Sequence, residues 1–208
     1  MHLNYILLSD GSSDGALIPI IEDALLKTSK YSSFYGRRAD LSRYPTSIDK
    51  LEDKIDLTLE FYNPDVIFIH RDAERELLDK RIIEIENGIK KSTLQKTYFI
   101  PELKIIPIRM TEAWLLIDEN AIKFACGNPH SKVKLSLPRC KDLEHIPNPK
   151  KTLEDLIIKG SELSKRRLKK LNVRHAIQLV PRYIEDFSPL TILSSYQYFL
   201  QQIKEKLN

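Results

Sequence analysis

The stretch 65-DVIFIHRDAERE-76 decides how the chain is read. Val66 to Ile69 form an unbroken apolar run, short for a helix and without polar alternation, as expected of a strand buried on both faces. His70, Arg71 and Asp72 follow at once, with Glu74 two residues further on. A buried strand that ends on closely spaced carboxylates needs something to offset their charge. One reading is a hard divalent cation. The other is the start of a helix from residue 73, with Asp72 as its N-cap and Glu74 and Glu76 favouring its positive end.

On the N-terminal side, 3-LNYILLS-9 is an apolar run ending in 10-DGSSDG-15, which reads as a strand feeding a turn. Residues 14–30 place apolar side chains at 17, 18, 20, 21, 24 and 25, a helical stripe. Pro19 falls in the first turn, where its missing N–H does least harm. Residues 31–42, YSSFYGRRADLS, carry an ambiguous pattern that reads as an edge strand and then a loop. The segment 47-SIDKLEDKIDLTLEFYN-63 puts Ile48, Leu51, Ile55, Leu59 and Tyr62 on one helical face.

On the C-terminal side, residues 73–91 predict an amphipathic helix ending near Gly88, and 103-LKIIPIRM-110 predicts a third strand. Residues 111–127, TEAWLLIDENAIKFACG, predict a helix closed near Gly127. Strand and helix alternate throughout 1–127, which predicts an α/β core with a mostly parallel sheet flanked by helices. Residues 128–149 hold four prolines and no clean period, and read as a loop or linker. Residues 150–208 read as a helical C-terminal segment packed on the core, with helices over 150–170, 173–185 and 189–206.

The totals bound the function without choosing it. The 208 residues are 42% hydrophobic and 30% charged, with 33 basic against 29 acidic side chains and a net charge of +4. That balance permits a nucleic-acid partner without requiring one. Cys126 and Cys140 lack neighbours at zinc-finger spacing, which argues against a metal–sulfur site or a disulfide framework and for a reducing setting. The first residues do not read as a signal peptide, and no window reaches the ~20 apolar residues of a membrane helix. A soluble, cytoplasmic protein is expected. There is no Gly-x-Ser-x-Gly for a serine nucleophile, and DGSSDG lacks the lysine of a phosphate-cradling loop.

In open α/β sheets ligands bind beyond the carboxyl ends of the strands. Asp10 and Asp14 follow the first strand, Asp72 and Glu74 the second, and Glu112 and Asp118 the third. If the strands are neighbours, these acids converge, and magnesium suits such a site because it takes a few carboxylate oxygens and completes its shell from water and phosphate. Ser13 or Asp14 also reads as a helix cap, and Glu112 as a first-turn acid. Trp114 reads as core and His70 as packed or hydrogen-bonded. The run 165-KRRLKKLNVRH-175 is either a solvated face or a phosphate-backbone contact built from Lys165, Arg166, Arg167, Lys169, Lys170 and Arg174. Arg109 and Lys150 could add positive charge near the acids.

LLSDGSSDGALIPIIEDAL followed by VIFIHRDAE resembles the toprim fold, the catalytic domain of topoisomerases, bacterial primases, some ribonucleases and the overcoming-lysogenization-defect nucleases. LKIIPIRMTEAWLLID, IPNPKKTLEDLI and AIQLVPRYIEDFSPLTILSSYQYFL are similar in order to an uncharacterised toprim-related family of about this length, often encoded beside phage-defence genes. The resemblance implies a Rossmann-like sheet and a nuclease using Mg2+ or Mn2+ on DNA or RNA. It also implies a defence-system partner protein such as an ATPase. By position, Asp10 stands where the toprim family has Glu, Asp72 and Glu74 stand in its Asp-x-Asp, and Glu112 stands in the Glu-x-Trp of the smaller family. Asp10, Asp72 and Glu112 would then be catalytic, with Glu74 joining them on the metal. Two departures alter reach while keeping charge: Asp10 is one methylene shorter than the family's acid, and Glu74 one longer. The alternative expectation is a non-catalytic subunit that keeps the scaffold to bind nucleic acid or a partner.

Overall fold

The structure, a computed structural model, describes residues 1–42, 44 and 48–208, and only the main chain of Ser12 and Ser13. Its centre is a four-stranded parallel sheet: β1 (His2–Leu8), β2 (Ser33–Arg38), β3 (Val66–His70) and β4 (Glu102–Ile105), in the order β2-β1-β3-β4. Parallel neighbours need crossovers. These are supplied by α1 (Ile18–Thr28), α2 (Leu51–Tyr62), and α3 (Leu78–Lys91) with α4 (Thr93–Tyr98). The chain leaves β1 for β2 on one side and returns to β3 on the other, so the sheet reverses between β1 and β3.

Strand periodicity divides the core in two. Leu3, Tyr5, Leu7, Val66 and Phe68 face one layer with Ile20, Ile21 and Leu25 of α1. Ile6, Leu8, Ile67 and Ile69 face the other with Ile55 and Leu59 of α2 and Ile85 of α3. Every residue of β3 is buried, which is why its run shows no polar break. Gly36 pairs with Tyr5, and a Cβ there would lie 1.9 Å from the Tyr5 ring.

After β4 come a 3-10 turn (Thr111–Leu115), α5 (Glu119–Ala125), a second 3-10 turn (Cys140–His145), α6 (Pro149–Ser161), α7 (Lys165–Leu168), α8 (Val173–Tyr183) and α9 (Ser194–Lys206). Trp114, Leu153, Val180, Tyr196, Phe199 and Ile203 belong to the same apolar cluster as Leu3 and Phe68. The Trp114 ring meets Tyr196 edge-on at 5.2 Å. The two cysteines are free thiols, and no described helix is long and apolar enough to cross a membrane.

Several boundaries differ from the sequence reading. Residues 31–42 do contain an edge strand, β2. The expected start of α2 at Ser47 lies outside the described residues. The helix expected from residue 73 begins at Leu78. Residues 71–73 instead run beside the chain after β4, and the chain turns at Glu74: Arg71 N donates to Ile105 O (3.2 Å), Ala73 N to Pro107 O (2.9 Å) and Glu74 N to Arg109 O (2.8 Å). Asp72 is therefore not a helix N-cap. β4 stops at Ile105, short of the expected residue 110, because Pro107 has no N–H to give a ladder. The expected helix over 111–127 is a 3-10 turn and then α5, whose N-cap is Asp118, accepting from Asn120 N and Ala121 N. Asp118 is thus committed to a structural bond. The loop over 128–149 contains a 3-10 turn, which Glu144 ties to α9 by accepting from Ser195 N (2.9 Å) and Ser195 Oγ.

β4 is an edge strand, and α9 closes it. The Gln202 carboxamide accepts from Lys104 N (2.8 Å) and donates to Lys104 O (2.9 Å), completing the edge as another strand would. Gln202→Ala leaves both buried main-chain groups unpaired. We expect a loss of about 2–4 kcal/mol in urea unfolding, whereas Gln201→Ala at the neighbouring exposed site changes stability little.

Candidate functional site

The sheet reverses between β1 and β3, and their carboxyl ends place two turns side by side. After β1 the chain passes Asp10 and Gly11 and enters a 3-10 turn (Ser12–Leu17). Gly11 N donates to Asp14 Oδ2 (2.9 Å), a capping bond that fixes this carboxylate at the mouth of the sheet. Asp14 is therefore a cap and also a wall of the site. The Ser13 side chain, weighed as the alternative cap, lies outside the described residues.

His70 closes β3 and is buried between the two turns. Its Nδ1 donates to Ile105 O (3.1 Å), since a carbonyl can only accept. That leaves Nε2 to face the site, 3.3 Å from Thr111 Oγ1, 3.6 Å from Asp72 Oδ1 and 3.8 Å from Asp14 Oδ2. Asp72 Oδ1 accepts from Thr111 N (2.8 Å) and Thr111 Oγ1 (3.1 Å). Asp72 thereby fastens the turn that carries Glu112.

Electrostatics links the acids. Burial pushes the Asp72 carboxyl above its ordinary value of 3.8; the Asp14 charge adds to the rise, while His70 and the Thr111 bonds oppose it. Burial likewise pushes Glu112 above its ordinary 4.5, with Asp72 and Asp14 adding to the rise and Lys150 opposing it. Asp14, Asp72, Thr111, Glu112 and Lys150 line a cleft of about 90 Å³, against which Ile177 of α8 packs. Asp14 and Asp72 also line an outer cleft of about 250 Å³ with Asp10, Arg71, Glu74 and Arg81. Glu74, Arg81 and Lys150 line a third, of about 530 Å³, with Arg75 and Arg109.

Of the residues singled out in the sequence, Asp72 and Glu112 come together. Asp10 lies apart in the outer cleft, paired to Arg71 and, at 2.7 Å, to Lys54 Nζ. Glu74 is exposed, left-handed at φ 54°, with its carboxylate 3.9 Å from Arg81 Nη2. Arg109, also left-handed, donates to Glu74 O (3.3 Å). Lys150 joins the acids from the first turn of α6. Lys165, Arg166, Arg167, Lys169, Lys170 and Arg174 are exposed along α7 and the start of α8, and none lines the three clefts. Sequence reasoning missed Lys54, Arg71, Arg81 and Thr111, and ranked Asp14 as a cap ahead of a ligand. The sequence signal for Asp14 was its place one helical turn beyond Asp10; none marked the others.

The donors are carboxylate oxygens, which is hard-cation chemistry. Among the described residues, no three His, Cys, Asp or Glu side chains gather closely enough to hold a metal ion. Two acids with raised proton affinity, Asp72 and Glu112, do suit an ion that takes its remaining ligands from water and phosphate. Comparison of the chain with protein-family models, curated proteins and solved structures finds no match. What the fold and site define is an α/β protein with a parallel sheet and an acidic cleft at its switch point.

The raised Asp72 pKa has a stability consequence of definite sign. The folded chain holds this proton more tightly than the unfolded one. Stability therefore falls as pH rises from the ordinary value of 3.8 through the raised value, and the deficit is complete above it. Asp72→Asn keeps an oxygen for Thr111 and removes the charge. It is expected to melt higher than the wild type at neutral pH, with the gap closing toward pH 3.8. Thermal melts across that range check this, and an equal or lower neutral-pH melting temperature would contradict it.

Proposed function

We propose that the chain is a toprim-like, magnesium-dependent enzyme that processes phosphodiesters, acting as a nuclease on DNA or RNA. The observation that carries this reading is that Asp14, Asp72 and Glu112, each from a different connection, line one cleft at the switch point of a parallel sheet. Asp72 and Glu112 would hold the metal, which would take its remaining ligands from water and phosphate, with Asp14 adding negative charge beside them. A hard dication bound there supplies charge neutralisation at a phosphoryl oxygen and a more acidic bound water.

The chain's own residues do the rest. Lys150 faces Glu112 and offers a positive charge to a phosphate entering the cleft. Arg81 and Arg109 line the wider cleft beside it, where the flanking backbone would lie. His70 and Thr111 hold Asp72 in orientation. The exposed cations at 165–174 lie on the helical segment that also supplies Ile177 to the acidic cleft, and they suit non-specific backbone contact.

A second reading is a non-catalytic subunit that binds nucleic acid or a partner. Its support is Asp10, the residue at the family's first acidic position, which is committed to Arg71 and Lys54.

Two measurements separate the readings. Magnesium at about one hundred times its dissociation constant should stabilise the wild type by about 2.7 kcal/mol, and Asp72→Ala should abolish the effect. Labelled DNA or RNA should be cut with magnesium or manganese, and Glu112→Gln should slow cutting by about a hundredfold or more. Salt-sensitive binding with neither polymer cut would establish the second reading instead.

A further inference from the structure

The far side of the sheet carries a site that the acidic cleft does not use. β2 is an edge strand that pairs with β1 alone. Its Tyr35 and Arg37 pair in register with Asn4 and Ile6. Ile6 is buried beneath the α2 layer, whereas Arg37 is exposed and Tyr35 is 57% exposed. The helix layer leaves the β2 edge of this sheet face exposed.

The open face is built from rings and guanidinium groups. The Arg37 guanidinium lies 4.7 Å from the centre of the Tyr62 ring and 5.8 Å from that of Tyr35. Tyr62 is held by its hydroxyl, which accepts from Asp40 N at 2.8 Å. Beside it, Tyr44 and Phe61 pack at 4.7 Å, and Phe61 is 50% exposed. The rings and arginines line two adjoining clefts of about 230 and 360 Å³. Among the described residues, neither Arg37 nor Arg38 has an ion-pair partner. Asp40, which lines the same cleft, accepts from Ser42 N and Ser42 Oγ.

We propose that this face binds a single strand of nucleic acid, with bases stacked on Tyr35 and Phe61 and phosphates on Arg37 and Arg38. Exposed rings offer stacking area that only unpaired bases can use, and guanidinium groups without an ion-pair partner suit a polyanion, Arg38 Nη1 donating only to Ala39 O (3.0 Å) among the described residues. A peptide-binding groove would present several aliphatic anchors, and among the described residues these clefts present only Ile6 and Pro64. Position adds a second argument. Arg38 pairs with Leu7, three residues before Asp10, and Lys54 of α2 reaches Asp10. A strand leaving the acidic cleft past Lys54 would meet Arg38 first and the tyrosines next. The identity of the polymer rests on the proposed function; the binding face rests on its own geometry.

The test is binding in a chelating buffer, where no metal-dependent cutting occurs. Fluorescence anisotropy would follow a labelled oligothymidylate and a duplex of equal length. Tyr35→Ala is expected to weaken the single strand by about fivefold or more, the lower end for one lost base–ring stack, and to leave the duplex unchanged. Arg37→Gln should lower the salt dependence of single-strand binding by about one phosphate contact. Both side chains are exposed, so both variants should melt as the wild type does. No single-strand binding by the wild type, an unchanged affinity for Tyr35→Ala, or an equal loss on both polymers would overturn the proposal. Asp72→Ala is expected to bind the oligothymidylate normally. If cutting is absent while the Tyr35 effect persists, the enzymatic reading fails and this site stands.

Discussion

The arrangement depends on a short run of main-chain bonds beyond the formal end of the sheet. Arg71, Ala73 and Glu74 donate to Ile105, Pro107 and Arg109, so the chain after β3 runs alongside the chain after β4 before it turns at Glu74. A helix beginning at residue 73 would have drawn those amides inward and turned Asp72 into a local cap. Held beside that chain, Asp72 instead reaches Thr111 and anchors the turn that presents Glu112. Two residues pay the conformational cost, Glu74 and Arg109, both left-handed without being glycine. Strain of this kind persists where surrounding bonds over-determine the backbone, and it borders the clefts here.

That scaffold gathers like charges, and the molecule offsets them unevenly. Asp10, more exposed than Asp14 and Asp72, is matched by Arg71 and Lys54. Asp72 and Glu112 are more buried, and their raised proton affinity records the incomplete compensation provided by His70, Thr111 and Lys150. Repulsion between carboxylates in a poorly solvated place favours any ligand that brings positive charge. The cations that could meet an anionic ligand, Arg75, Arg81 and Arg109, line the adjoining wider cleft. Acid cluster and cationic wall are therefore neighbours, sharing Lys150.

Much of the fold was legible because its signals are local. Three apolar runs mark β1, β3 and β4, and the stripe of Ile55 and Leu59 marks α2, whereas the polar β2 left no such mark. The helix starts near residues 73 and 111 were misread because the bonds that settle them come from more than thirty residues away or from the Asp72 carboxylate. Asp10 and Asp14 both follow β1, and their types and spacing give no reason to prefer one. The turn decides: Gly11 holds Asp14 inward, while Arg71 and Lys54 hold Asp10 outward. Tyr62 was equally opaque, since on the helical wheel it continues the apolar stripe, yet at the end of α2 it overhangs the sheet and packs on Arg37.

The amino-acid order alone determined where strands form, that they alternate with helices and that acids follow their ends. Those properties come from runs of a few residues, whose burial needs no particular distant partner. Tertiary structure decided which acids meet, which are neutralised, and where aromatic rings remain in solvent. A side chain's charge is written in the chain, but its field and its exposure depend on neighbours that only the crossovers bring within a few ångströms.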